Sequence, residues 1–316
     1  DAEAIFAQSE MIVKVKEPQA VEYKRLKPHQ ILFTYLHLAP DPEQARGLMA
    51  SGASCIAYET VTDANGGLPL LAPMSEVAGR LAIEAAAIAL RRPTGGRGVL
   101  MGGVPGVRPA KVVVLGGGVV GTHAARMAVG LGAEVSILDR SLPRLRQLDE
   151  LFEGRVRTLA STMDSVETEV LGADVVVGAV LVAGASAPKL VTREMLSRMK
   201  KGAVLVDVSI DQGGCFETSK ATTHANPTFD VDGIIHYCVA NMPGAVPVTS
   251  AQALNNATLP FVIKLAERGL AAFDRDPHLA AGLNVREGKI MHSSVAASLG
   301  FDSLGSGKFV PSAAAE

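Results

Sequence analysis

The stretch Lys111-Val-Val-Val-Leu-Gly-Gly-Gly-Val-Val-Gly-Thr-His-Ala-Ala-Arg126, followed by Glu134-Val-Ser-Ile-Leu-Asp139, constrains this chain more than any other part of it. Val112 to Leu115 is apolar and largely β-branched with no alternation, the pattern of a parallel strand buried on both faces. Gly116, Gly118 and Gly121 then fall in the G-x-G-x-x-G spacing. The first glycine permits a tight turn, the second lets the backbone approach a pyrophosphate, and the third lets the following helix pack close to the strand. Thr122 to Leu131 reads as that helix, stopped by Gly132, and its N-terminus presents unpaired N–H groups and the positive end of the helix dipole to phosphate. The glycine spacing alone also fits a turn that holds no nucleotide. The acid separates the two readings, because Asp139 ends the second strand about 20 residues beyond the glycines, where a carboxylate accepts hydrogen bonds from an adenosine ribose. The chain is therefore expected to bind a dinucleotide. Asp139 repels a 2′-phosphate and favours NAD over NADP, while Arg140 next to it weighs the other way.

With 316 residues and 48% hydrophobic composition, the chain has core enough for two domains. A formal charge of −2 with no clustered lysines or arginines argues against a nucleic-acid partner. Cys55, Cys215 and Cys238 show no C-x-x-C spacing, so neither disulfides nor a cysteine zinc site is expected, and the compartment reads as reducing and cytoplasmic. The most apolar long segment, Val77 to Leu90, is interrupted by Arg80 and Glu84 and is too short to span a membrane. No His, Asp and Glu set has metal-ligand spacing. Asp1-Ala-Glu-Ala has neither the basic flank nor the apolar core of a signal peptide and resembles the inside of a helix, so an incomplete start is expected.

Along the chain, strands are expected at 11–15, 30–36 and 55–58, with a helix from Pro42 to Ser51 ending at Gly52. These alternate as β-α-β pieces of an open sheet. A long helix opens near Pro73, with Ser75 as a cap, and runs to Arg91. The glycine-rich segment 94–109 reads as a hinge or interface loop. After Asp139 the alternation continues with helix 142–152, strand 156–159, helix 166–171, strand 174–181, helix 193–199 and strand 203–210, and a further strand follows at 236–240. That count fills a doubly wound parallel sheet with the coenzyme at the carboxyl ends of its strands. From Thr249 the pattern is helical to Ala281, returning to the first domain, and the tail 312–316 reads as disordered.

Several residues carry candidate chemistry, and each has a bland alternative. Lys14 and Lys16 share one face of the first strand, where Lys16 either binds a carboxylate or carbonyl or is simply solvated. His37 follows a β-rich run, as a satisfied core histidine or as an acid/base group titrating near neutral pH. Asp211 ends the strand 203–210, either as a catalytic carboxylate over a nicotinamide or as a turn aspartate. Asp207, inside that strand, must pair with something or reach the sheet edge.

Taken together, Lys14-Val-Lys16-Glu-Pro18, Thr34-Tyr-Leu-His37-Leu, Leu71-Ala-Pro-Met-Ser75-Glu, Gly102-Gly-Val-Pro-Gly106, Ile210-Asp-Gln-Gly-Gly-Cys-Phe-Glu217 and Asn241-Met-Pro243 resemble the alanine dehydrogenase family over almost the whole chain. The resemblance implies a Rossmann domain over 71–247 and a discontinuous α/β substrate domain over 1–70 and 248–316. It implies NAD-linked oxidative deamination of L-alanine to pyruvate and ammonia, reversibly, by a homo-oligomer, hexameric in the family. By resemblance His37 is the acid/base histidine and Asp211 the catalytic aspartate, with Lys16 and Asn241 toward the substrate. Ser75, Gly116, Gly118, Gly121, Asp139, Ser161 and Met242 would hold the coenzyme. The family's early arginine, which clamps the substrate carboxylate, has no counterpart in this sequence, so weak turnover is expected of the chain as given. The rival readings are the NAD-binding subunit of a proton-translocating transhydrogenase and an inactive coenzyme-binding homologue.

Overall fold

The computed structural model describes residues 1–180 and 187–300. The chain divides into two compact units, Asp1–Pro73 with Gln252–Glu316, and Met74–Ala251. In chain order the strands are β1 (Met11–Val13), β2 (Ile31–Thr34), β3 (Ser54–Ala57), β4 (Lys111–Leu115), β5 (Glu134–Asp139), β6 (Arg157–Ala160), β7 (Val175–Gly178), β8 (Val204–Asp207), β9 (Thr228–Val231), β10 (Ile234–Tyr237), β11 (Leu283–Arg286) and β12 (Lys289–Ile290).

The first unit is built on a sheet of order β1-β2-β3-β11-β12. β1, β2 and β3 are parallel, whereas β11 runs antiparallel to β3 and β12 antiparallel to β11. All residues of β2 and β3 are buried, which is why these runs read as continuous apolar stretches. The helix Pro42–Ser51 obeys its local signals: Asp41 accepts from the Gln44 N–H at 3.0 Å, Pro42 stands at the first position, and Gly52 closes it at φ +68°. Leu32, Leu36 and Leu48 are completely buried in this unit's core, so truncating any one to alanine is expected to cost about 2–5 kcal/mol.

The second unit is built on a seven-stranded sheet of order β6-β5-β4-β7-β8-β10-β9, parallel except for the edge pair β10–β9. The chain lays β5 and β6 on one side of β4, then crosses back to place β7 and β8 on the other. β4 and β7 thus flank a topological switch point, where open α/β sheets bind their ligands. Alternate residues of β4 serve the two faces. Val112 and Val114 pack with Ala82, Ala125 and Ala128 on one, and Val113 and Leu115 with Val166, Val170 and Leu196 on the other. Among the described residues no helix is long and apolar enough to cross a membrane.

Several local expectations are revised. β1 stops at Val13, leaving Lys14 and Lys16 beyond the strand rather than on its face. The helix carrying Ser75 spans Ala72–Ala89, so Ser75 lies inside its first turns and does not cap it. The nucleotide helix starts at Val119 with Gly118 as its N-cap, which places Gly121 within the first turn. β8 ends at Asp207 rather than Ile210, because the Asp207 carboxylate accepts the Ser209 N–H at 3.1 Å and turns the chain into the 3₁₀ segment Val208–Gln212. The loop 94–109 is not a hinge: Arg97 N–H donates to Gly202 O, Gly98 N–H to Leu90 O and Ala110 N–H to Met101 O, all inside one unit. The outer end of the strand expected over 174–181 and the tail 312–316 lie outside the described residues. β9, β11 and β12 were not foreseen.

Candidate functional site

The candidates of the second unit gather at the carboxyl ends of parallel strands. Gly116 follows β4, Asp139 ends β5, Ser161 follows β6, Asp211 lies in the turn after β8, and Asn241 comes shortly after β10. Gly116 adopts φ +101°, a conformation that side chains disfavour. A Cβ on Gly121 would lie 1.8 Å from the Gly116 carbonyl oxygen, so the third glycine serves contact with the turn itself as well as with the strand. A Cβ on Gly118, in contrast, would meet nothing within 4 Å. Gly118 is the N-cap of the helix Val119–Gly130, whose first N–H groups have no partner within the helix, and open space at such a terminus fits a pyrophosphate.

Asp139 is built into the same turn. Its Oδ2 accepts the Gly117 N–H at 2.7 Å and its Oδ1 the Ser141 N–H at 2.8 Å, and each oxygen keeps a further lone pair that could accept from a hydroxyl. Arg144 braces the assembly, donating to Gly117 O at 2.7 Å and to Thr122 Oγ1 at 2.8 Å. The Ser161 N–H donates to Asp139 O, which sets Ser161 beside Asp139. Ser75 approaches from the preceding helix, one turn ahead of Gly79 and on the same side. A Cβ on Gly79 would lie 2.3 Å from Val120 O, so the two helices touch there, backbone against backbone.

Asp211 is exposed on its 3₁₀ segment, and the anchor of that segment is Asp207. Asp207 is fully buried and, of the two outcomes its sequence position left open, it pairs. It accepts from the N–H groups of Ser209, Cys215 and Phe216 and from the Ser219 hydroxyl, tying both ends of the Asp211 turn to β8. Burial raises its pKa even against these bonds, and burial with the Asp207 charge pushes the Cys215 thiol well up. Lys189 donates to the carbonyls of Gly213 and Gly214 from outside the turn. Asn241 is exposed at φ +56°, but Met242 is only 2% exposed and packs in the unit's core, leaving its side chain little surface for a ligand.

In the first unit the structure brings Lys16 and His37 together through a residue the sequence reading passed over. Glu17 Oε1 is hydrogen-bonded to His37 Nδ1 and stands 3.5 Å from Lys16 Nζ. Lys14 is removed from contention by its ion pair with Glu22. His37 is 45% exposed, so the core-histidine reading falls. Its backbone is held at φ +45° by Glu59, whose carboxylate accepts the Leu36 N–H at 3.2 Å and the His37 N–H at 2.6 Å. Tyr35 stacks on the ring at 5.6 Å between centroids, its own hydroxyl donating to Leu70 O. A cleft of about 430 Å³ opens beside the pair, lined by Glu17, Tyr23, His37, Asp41 and Gln44 among others. For the His37 ring desolvation is the largest influence and works downward, but the Glu17 bond and the Glu59 charge outweigh it and raise the pKa. Burial works upward on Glu17, yet the His37 bond and the neighbouring charges hold its carboxyl down at about 2.

Residues 1–78 match the family model "Alanine dehydrogenase/PNT, N-terminal domain" and residues 82–293 match "Alanine dehydrogenase/PNT, C-terminal domain". The chain is 60% identical over 303 residues to an alanine dehydrogenase of Halomonas elongata, covering 96% of this chain and 82% of that one. The chain belongs to the alanine dehydrogenase family. A relative named alanine dehydrogenase from Mycobacterium tuberculosis is 55% identical over 95% of this chain and 81% of its own length. A solved L-alanine dehydrogenase superposes with a TM-score of 0.90 at 53% identity, over 95% of this chain and 83% of that one. A transhydrogenase from Sinorhizobium meliloti superposes at 0.76 with 24% identity, over 92% and 81%, a likeness of fold alone. Family membership was legible in the motifs, but Glu17 and Glu59 were not, although Glu17 lies inside the quoted Lys-Glu-Pro motif. They contact His37 from 20 and 22 residues away, and only the fold makes them neighbours.

Proposed function

We propose that this chain catalyses the NAD-linked oxidative deamination of L-alanine to pyruvate and ammonia, and its reverse. The observation that carries the reading is the identity of 60% across 96% of the chain to a protein named alanine dehydrogenase. The glycine turn, the Asp139 carboxylate and the lysine–carboxylate–histidine group lend it chemical sense. The second unit would be the coenzyme domain and the first the substrate domain. Bound NAD would supply the hydride acceptor for the alanine Cα. The N-terminal N–H groups of the helix Val119–Gly130 would hold its pyrophosphate, with Ser75 beside them, and Asp139 its adenosine ribose, favouring NAD over NADP. Lys16 would attract the substrate carboxylate. Hydride loss requires a neutral amine, so a base must take a proton from the substrate ammonium; His37 is that base, at Nε2. Asp211 would assist proton movement as water adds to the imine carbon and ammonia departs. Asn241 would stand toward the nicotinamide end through its exposed polar atoms.

The deciding assay is a coupled spectrophotometric one, following NADH consumption by purified protein with pyruvate and ammonium, and NADH formation with L-alanine and NAD. Turnover that requires both pyruvate and ammonium supports the reading. NADH binding without any turnover would leave a coenzyme-binding homologue.

A further inference from the structure

We propose that Glu17 is a positioning residue for the acid/base histidine: its carboxylate fixes the proton of His37 on Nδ1, leaves Nε2 as the nitrogen that exchanges protons with substrate, and couples the ring to Lys16. The inference rests on the reading of His37 given above and deepens it. An ionised carboxylate offers only acceptors, so a nitrogen bonded to it must carry a hydrogen in both protonation states of the ring. Neutral His37 is then the Nδ1–H tautomer with a bare Nε2, and protonated His37 gains its second hydrogen at Nε2. This is the division of labour by which a buried acid orients a catalytic imidazole.

Three further contacts make the arrangement rigid. The Glu59 carboxylate pins the backbone of His37, Tyr35 stacks on its ring, and Pro18 restricts the backbone immediately after Glu17. Because Lys16 Nζ and His37 Nδ1 both face Glu17 Oε1, one oxygen atom sets the spacing between the cation and the proton-handling ring. Glu17 and Glu59 act on the ring in the same electrostatic sense and Lys16 against them. The cleft adds Asp41, which caps the helix Pro42–Ser51, and Glu43 in that helix's first turn. Glu59 also acts electrostatically on His292.

The test compares Glu17→Gln, His37→Ala and the double variant in the chain of 316 residues. Glutamine keeps the shape but replaces an acceptor by an amide that can face the ring with either end. Pyruvate amination by Glu17→Gln is expected to lose about ten- to a hundredfold in kcat while NADH affinity stays within about twofold. Its high-pH limb, where His37 loses the proton it must donate, is expected to move to lower pH. The double variant is expected to be no slower than His37→Ala, since Glu17 acts through the ring. An unmoved limb, or a further loss in the double variant, overturns the proposal. A second readout does not need turnover: ¹⁵N imidazole NMR, with His37 assigned by its disappearance in His37→Ala, reports the tautomer directly. Neutral His37 with its proton on Nε2 in the unmodified chain overturns the proposal. The Nδ1–H tautomer in a chain that turns over no pyruvate would instead sink the assigned reaction and leave the positioning geometry standing.

Discussion

The glycine turn lends itself to a graded experiment, because three glycines of one helix region face three different surroundings. In Gly121→Ala the new methyl would lie 1.8 Å from Gly116 O, short of ordinary contact by about 1.6 Å, and the obstacle is backbone that cannot rotate away. The helix must retreat from the turn, at a cost of about 1–3 kcal/mol for overpacking. For a unit of this size that lowers Tm by about 3–10 °C. The same retreat carries the helix N–H groups away from the pyrophosphate, and each charge-assisted bond lost is worth about 1.5–3 kcal/mol, or roughly ten- to a hundredfold in Kd. Gly118→Ala has no steric consequence for the protein, since its φ of −67° suits alanine and nothing lies within 4 Å. Tm should hold while NADH affinity falls by about tenfold or more, the methyl filling the space a phosphate needs. Gly130→Ala, helical and unobstructed, should gain about 0.5–1 kcal/mol and leave binding untouched. Differential scanning fluorimetry and NADH fluorescence titration give both readouts for all three. A Gly118→Ala protein that binds NADH as tightly as the unmodified chain would refute the assignment of the turn to phosphate.

Asp139→Ala should narrow the preference for NADH over NADPH, measured as the ratio of dissociation constants, and equal constants in the unmodified chain would remove the premise. Asp211→Asn and His37→Ala are each expected to lower kcat by about a hundredfold or more with NADH Kd nearly intact, so parallel loss of coenzyme binding would make the residue structural. Asp207→Asn sets an amide against N–H groups that need an acceptor; a loss of about 2–4 kcal/mol, a lower Tm and faster thiol labelling of buried Cys215 are expected, and an unchanged melt would show the carboxylate to be dispensable. The Glu17–His37 pair should leave a pH signature of about 0.5–1 kcal/mol in unfolding free energy relative to Glu17→Gln. The lowered Glu17 pKa contributes above the ordinary value of 4.5 and is lost as pH falls toward 2, while the raised His37 pKa contributes fully below 6.5 and is lost as pH climbs through its elevated value. The difference should therefore peak between about pH 4.5 and 6.5, and a difference that grows steadily above pH 8 would contradict the pairing.

What the sequence disclosed and what it withheld follow the range of the interactions involved. The glycine spacing, Asp139, the Asp41 and Gly52 boundaries of the helix Pro42–Ser51, and the helix Leu142–Phe152 are written in contiguous residues. β9 and β12 were also signalled locally and overlooked, since Asp232-Gly233 and Glu287-Gly288 both take positive φ and close two-residue hairpins. The apolar Val208 and Ile210 extend the expected β8 too far, whereas the bond that Ser209 N–H donates back to Asp207 Oδ1 ends the strand. Glu17 and Glu59 could not be assigned before the fold, for an acid in a loop or a single 3₁₀ turn has no pattern until its partner is known. Lys16 and His37, each three residues beyond a strand, were legible as types of residue in suggestive places, but their meeting through one oxygen was not.

The sheet of the first unit has a consequence for how the chain is made. β3 is completed by β11, and Thr60 Oγ1 reaches Gly282 O, 222 residues further along. A ribosome releases β1, β2 and β3 before β11, with the whole of Met74–Ala251 emerging between them. Among the described residues that middle segment finds its sheet partners within itself, so it is expected to fold before the first sheet can close. The flank of β3, with unpaired amides and carbonyls, waits meanwhile in the open, an invitation to other nascent chains. Closure of the first sheet therefore waits on synthesis of the whole middle unit, and until β11 arrives β3 holds β2 as its sheet partner on one side only.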